Sequence, residues 1–186
     1  YAWLLSEGRG LIDGTDYLGQ IYNDMFLRLI EFDFDASCKV LMFERFEDGD
    51  KCRTYFGIFP ALLRVFAYPF VNFEFFSFAG ISTYAASIII IYFIGRSLNE
   101  TVKWVEVDVL SRFLVVVFFL TVVFSGPMLY MQHVPTVYNE PILWATAMAI
   151  IVVNVLVKRA FSGNDFSQSD VLAIALAASA AINCRP

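Results

Sequence analysis

The groups in this sequence with the chemistry for a reaction are carboxylates and one arginine. Glu44 lies inside an apolar run, Leu41-Met-Phe-Glu-Arg-Phe46, where a carboxylate needs a partner. Arg45 is adjacent, and Arg64 comes within reach if the intervening hairpin folds onto the helix that carries it. Glu140 follows Tyr138 at the mouth of an apolar span, and Glu74 precedes another. At a membrane–water boundary desolvation disfavours an ionised carboxylate, and a nearby arginine favours it. A carboxylate balanced in this way can act as a general base or a metal ligand. Its plainer role is a salt bridge pinning a loop to a helix. Asp13, Asp16, Asp24, Glu31, Asp33 and Asp35 read as solvated loop charges, and Glu47-Asp-Gly-Asp50 as turn chemistry. His133 is the single histidine, which makes no spaced zinc site and reads as loop polarity beside Gln132. No Ser/His/Asp set, P-loop or dinucleotide fingerprint is present.

Positioning these groups falls to the stretch Tyr55–Phe70. Pro60 fits the first turn of a short helix, where its missing N–H costs nothing. Pro69 closes the segment, because its ring cannot continue a helix. Between them Leu62, Leu63, Val65, Phe66 and Tyr68 form an apolar surface interrupted by Arg64. Such a helix suits a membrane surface, with the arginine stem buried and its head kept wet. It suits equally an ordinary connection ahead of a span. Upstream, Ile21, Tyr22, Met25, Leu29 and Ile30 fall near helical spacing within Tyr17–Ile30. Phe32–Asp35 reads as a loop or short alternation, and Val40–Phe46 as strand or helix. The Asp-Gly turn then predicts a hairpin into Lys51–Phe56. Cys38 and Cys52 share this polar segment while Cys184 lies in a span; a disulfide between the first two is open to a segment that faces an oxidising compartment, but three cysteines form no framework and free thiols are expected.

Composition sets the class. The 186 residues are 59% hydrophobic, include 20 Phe, and have a mean hydropathy of +0.64. Charge crowds into residues 1–70, with 7 basic and 11 acidic side chains, while 75–95 and 113–132 carry none. The expected fold is an all-α polytopic membrane protein. Residues 1–70 form an external loop region with short interfacial helices, and 71–186 a transmembrane helix bundle. Its spans are read at 75–95, 113–132, 141–157 and an incomplete 171–186. Small residues around Gly80–Ser87 would let a second helix pack closely. Tyr92, Trp104, Tyr130, Tyr138 and Trp144 read as interfacial anchors. Arg96, Lys103, Arg112, Lys158 and Arg159 sit in the connections 96–112 and 158–170, whereas Met131–Glu140 has no Lys or Arg. The positive-inside bias therefore puts those basic connections in the cytoplasm and the polar segment outside. The acidic balance argues against nucleic acid as a partner. The chain is expected to be a piece of a longer protein.

Phe43-Glu-Arg-Phe-Glu-Asp-Gly-Asp-Lys-Cys-Arg-Thr-Tyr-Phe-Gly-Ile-Phe-Pro-Ala-Leu-Leu-Arg64 resembles the external loop of a group of bacterial multi-spanning proteins that are in turn similar to the GT-C glycosyltransferases, the class of the protein O-mannosyltransferases. Glu44, Gly49, Tyr55, Phe56-Gly57, Pro60 and Arg64 match. Val137-Tyr-Asn-Glu-Pro-Ile-Leu-Trp144 resembles the group's Tyr-x-Glu…Trp loop, and Ala181-Ile-Asn-Cys-Arg-Pro186 a span ending in Arg-Pro. The resemblance implies a bacterial inner (plasma) membrane enzyme that transfers a sugar from a polyprenyl-phosphate donor at the external face. A carboxylate would deprotonate the acceptor, and arginine or a divalent cation would neutralise the leaving phosphate. It implies Asp13, Asp16 or Asp24 as the base, Arg64 near phosphate, and Glu44, Tyr55 and Glu140 shaping the substrate site. The chain departs from the class in that the usual acidic motif would fall near or before Tyr1. The rival classes are a transporter, disfavoured because Asn154 is the one strongly polar residue in the three fuller spans, and a non-catalytic scaffold or assembly subunit.

Overall fold

The computed structural model describes residues 20–41, 46–48, 51–74, 76–104, 108–124, 130–131 and 136–184, and they are mostly helical. Helix α1 (Ile21–Ile30) buries Ile21, Tyr22, Asn23 and Phe26 on one face. It ends in a Schellman turn: the Phe32 N–H donates to the Leu29 carbonyl at 3.1 Å and the Asp33 N–H to the Arg28 carbonyl at 3.0 Å. Phe32 takes φ 60°, in a place that glycine usually fills. Helix α2 (Cys38–Leu41) is a single turn. Strands β1 (Phe46–Asp48) and β2 (Lys51–Arg53) pair antiparallel with Glu47 opposite Cys52, the hairpin expected across Asp-Gly.

The thiols expected to be free are bonded. Cys38 and Cys52 form a disulfide with their Cα atoms 5.3 Å apart. The cause is tertiary: the Ala36 N–H donates to the Cys52 carbonyl at 2.8 Å, which lays the chain ahead of α2 along β2. Helix α3 (Phe59–Leu62) has Pro60 in its first turn, as its missing N–H allows, and runs into a 3₁₀ turn at Leu63–Phe66.

Four longer helices follow: α4 (Ala79–Trp104), α5 (Val109–Val123), α6 (Asn139–Ser162) and α7 (Gln168–Ile182). By length and composition α4 and α6 can cross a membrane; α5 and α7 are apolar but shorter. At 26 and 24 residues, α4 and α6 span about 39 and about 36 Å at 1.5 Å per residue. Helix α4 runs past its expected end at Gly95. No glycine or proline interrupts Arg96–Trp104, and Lys103 pairs with Glu100 at 3.0 Å one turn away. Helix α5 starts earlier than expected because Asp108 caps it, accepting the Ser111 N–H at 3.0 Å. Hydrogen bonds from Ser111 hold the Asp108 carboxyl below its ordinary value. The Gly126-Pro127 kink lies outside the described residues.

Helices α4 and α6 run parallel, tied at two levels. Trp144 Nε1 donates to Ser82 Oγ at 2.8 Å, and Asn154 Nδ2 to Ser97 Oγ at 2.9 Å. Ala79, Ser82, Thr83, Ala86 and Ser87 are buried on α4, so the small-residue face is where a second helix packs. Trp144 is therefore an inward-packed residue, where an interfacial anchor was expected; its ring fits over the small side chains of α4. Trp104 and Tyr130 are exposed, as anchors would be; Tyr92 is exposed too, but because the helix runs on to Trp104 it falls near the middle of α4 and not at its end. Helix α7 returns antiparallel to α6 after Gly163, whose φ of 63° ends α6, and a Ser167–Asp170 capping box starts it. Arg159 closes this hairpin by pairing with Asp170.

Candidate functional site

Two apolar cores meet end to end. One lies in the region before the first long helix (Tyr22, Phe26, Leu41, Cys52, Phe56, Phe73) and takes in Val137. The other lies among the long helices (Ala86, Ile90, Leu143, Trp144, Ala147, Cys184). Arg64 stands between them with no exposed surface, and so does Glu140. The Arg64 guanidinium grips the Glu140 carboxylate through both oxygens, with its Nη2 donating to Oε2 at 2.9 Å. Nε donates to Asn23 Oδ1 at 3.1 Å and Nη1 to the Pro60 carbonyl at 2.6 Å. The rings of Tyr22 and Phe78 each lie 5.4 Å from the guanidinium carbon. A bidentate, charge-assisted arrangement of this kind fixes both partners in position and orientation.

The expectation that Arg64 keeps its head wet is thus corrected. It points away from solvent because Glu140, Asn23 and the Pro60 carbonyl supply inside the protein what water would supply outside. The loop-to-helix salt bridge is the role its geometry fits, with Glu140 as the partner. Glu44, Asp13, Asp16, Gly49 and His133 lie outside the described residues. Asp24 is engaged structurally: its Oδ2 accepts the Ser37 N–H at 2.8 Å and lies 3.4 Å from Arg28 Nε. Tyr55 packs its ring against Phe46 and Phe56, and Phe56 packs edge-on to Tyr138 at 5.8 Å. Glu74 is exposed. Among the described residues no three His, Cys, Asp or Glu side chains group as a metal site.

Sequence reasoning missed Asn23, and it matched Gly57 in the resemblance without giving that glycine a structural role. Asn23 sits in the buried face of α1 and donates to the Phe76 and Phe73 carbonyls at 2.7 and 3.3 Å, fastening α1 to the entry of α4. A polar residue flanked by apolar ones on a helical face was the available signal. Gly57 lets the end of α7 touch the chain ahead of α3, where the Phe59 N–H donates to the Asn183 carbonyl at 3.0 Å. A methyl group built on Gly57 would overlap the Asn183 carbonyl oxygen and lie 2.6 Å from the Cys184 carbonyl carbon. Gly57→Ala should therefore cost about 1–3 kcal/mol, as overpacked sites do. The checks are a lower unfolding temperature and faster amide exchange at Asn183 and Cys184; unchanged values would mean that this contact does not form.

A cavity of about 180 Å³ opens beside this junction, lined by Met25, Asp33, Phe34, Asp35, Thr54 and Phe56 among others. The two carboxylates are balanced by cations, Asp33 lying 2.8 Å from Arg28 and Asp35 3.8 Å from Arg53. The chain matches no protein-family model, no curated protein and no solved structure.

Proposed function

We propose that this chain is part of an integral membrane glycosyltransferase of the bacterial inner membrane that takes a sugar from a polyprenyl-phosphate donor at the external face. The observation that supports this reading best is a convergence. Residues from the three segments that resemble the bacterial multi-spanning group, far apart in sequence, meet at one junction: Arg64 on Glu140, Phe56 on Tyr138, and Gly57-Ile-Phe59 on Asn183. In this reading Arg64 and Glu140 are positioning residues that hold the loop on the helices. The base is Asp13 or Asp16, because Asp24 is tied to Ser37 and Arg28. Two independent features support the orientation. The disulfide-bonded region belongs in an oxidising compartment. The opposite helix ends carry Arg96, Arg112, Lys158 and Arg159, the bias of a cytoplasmic face.

The test is transfer of labelled sugar from a polyprenyl-phosphate donor in proteoliposomes holding the full-length protein. Asp13→Asn with Asp16→Asn should lower the rate by about 10²–10⁴-fold, the usual loss of a general base. Undiminished transfer in that variant, or in one that adds Asp24→Asn, ends the catalytic assignment. A non-catalytic scaffold is the second reading, favoured by the complete burial of the Arg64–Glu140 pair, which presents neither group to a substrate. It requires that no donor is turned over by the intact protein.

A further inference from the structure

Among the described residues the long helices form a groove on the side facing away from the disulfide. It lies between α4 and α5, holds about 350 Å³, and is walled by Leu98, Val102, Val115, Val116 and Phe119. Gly95 lies in its wall, where a methyl group would sit in ordinary van der Waals contact with the Phe119 ring at 3.4 Å. Two polar side chains line it, Asn99 and Arg112. Arg112 lies in the first turn of α5, is exposed, and has no ion pair among the described residues. The nearest turns of α5 expose Val109, Leu110 and Phe113, a surface suited to hydrocarbon rather than water. An apolar slot with one cationic side chain at one end has the complement of an amphiphile with one anionic head.

We infer that the α4–α5 groove holds an acyl chain of an anionic glycerophospholipid, with the lipid phosphate on the Arg112 guanidinium and the Asn99 amide beside it. The inference rests on the membrane reading above and concerns the leaflet opposite the proposed sugar chemistry. Arginine suits the task because its planar fork matches phosphate oxygens and stays charged. Basic pockets between helices on the cytoplasmic side recognise anionic headgroups in this way.

Native mass spectrometry of the full-length protein with equal amounts of phosphatidylglycerol and phosphatidylcholine tests it. Phosphatidylglycerol should be retained with about tenfold preference, worth about 1.4 kcal/mol. Arg112→Gln should bring the two lipids to parity, Arg112→Lys should keep most of the preference, and Val115→Trp, which fills the slot, should remove both. Raising the salt concentration should erode the preference in the unaltered protein, an independent check if Arg112→Gln does not fold. An unchanged lipid ratio in Arg112→Gln, or a preference indifferent to salt, overturns the inference. Lipid retained by Val115→Trp overturns it too, as does a second protein segment found crosslinked into the groove. Protein that stays monodisperse in buffer without detergent would instead defeat the membrane reading itself.

Discussion

Arg64→Ala should destabilise the protein by about 3–5 kcal/mol, because it strands a buried carboxylate without its counter-charge. Glu140→Leu should do the same by stranding the guanidinium. Both charges have no exposed surface, so water cannot take the place of the missing partner. The double variant Arg64→Met with Glu140→Leu should recover much of the loss, since a hydrophobic pair of similar volume avoids the desolvation of two ions. It should still fall short of the unaltered protein by about 1–3 kcal/mol, because the Asn23 side-chain oxygen and the Pro60 carbonyl lose their donor. Reversible unfolding in mixed micelles, followed through Trp144, measures all three. An Arg64→Ala protein as stable as the parent would refute the latch. If it were as stable and also inactive in sugar transfer, Arg64 would belong to the substrate site after all.

Cys38→Ser with Cys52→Ser should cost about 3 kcal/mol, the entropy model's figure for a closed loop of this size, here a sequence separation of 14. Reductant should shift the unaltered protein by a comparable amount and leave the serine variant unmoved. The same bond reports the compartment. Alkylation in intact cells, before any oxidation on lysis, should leave Cys38 and Cys52 unmodified. Cys184, a free thiol, is buried and should react only after denaturation. If Cys38 and Cys52 are both alkylated, this region faces a reducing compartment, and the external orientation fails together with sugar transfer at that face.

The unequal reach of sequence and structure is clearest at three places. The hairpin that pairs Phe46–Asp48 with Lys51–Arg53 and the entry of α3 at Pro60 follow from single residues whose backbone limits act locally, so both were legible. The small-residue face of α4 was legible as a face, since spacing along one helix is local too. Its occupant was not, and Trp144 was read as an outward anchor because nothing in the chain near it names Ser82 as its partner. The candidate site behaved in the same way: Arg64 and Glu140 each stood out as charges in apolar company, yet they are separated by 76 positions.

By itself the sequence determined the chemistry of the parts: apolar helices, a polar disulfide-capable region, and charges that need partners. Periodicity and backbone restriction are written within a few residues of where they act. Only the tertiary structure decided the pairings, namely Cys38 with Cys52, Arg64 with Glu140, and Gly57 against Asn183. A charge in apolar surroundings demands an opposite charge but does not specify which one. That choice belongs to the packing of whole elements, which brings distant residues to a common place and leaves the others apart.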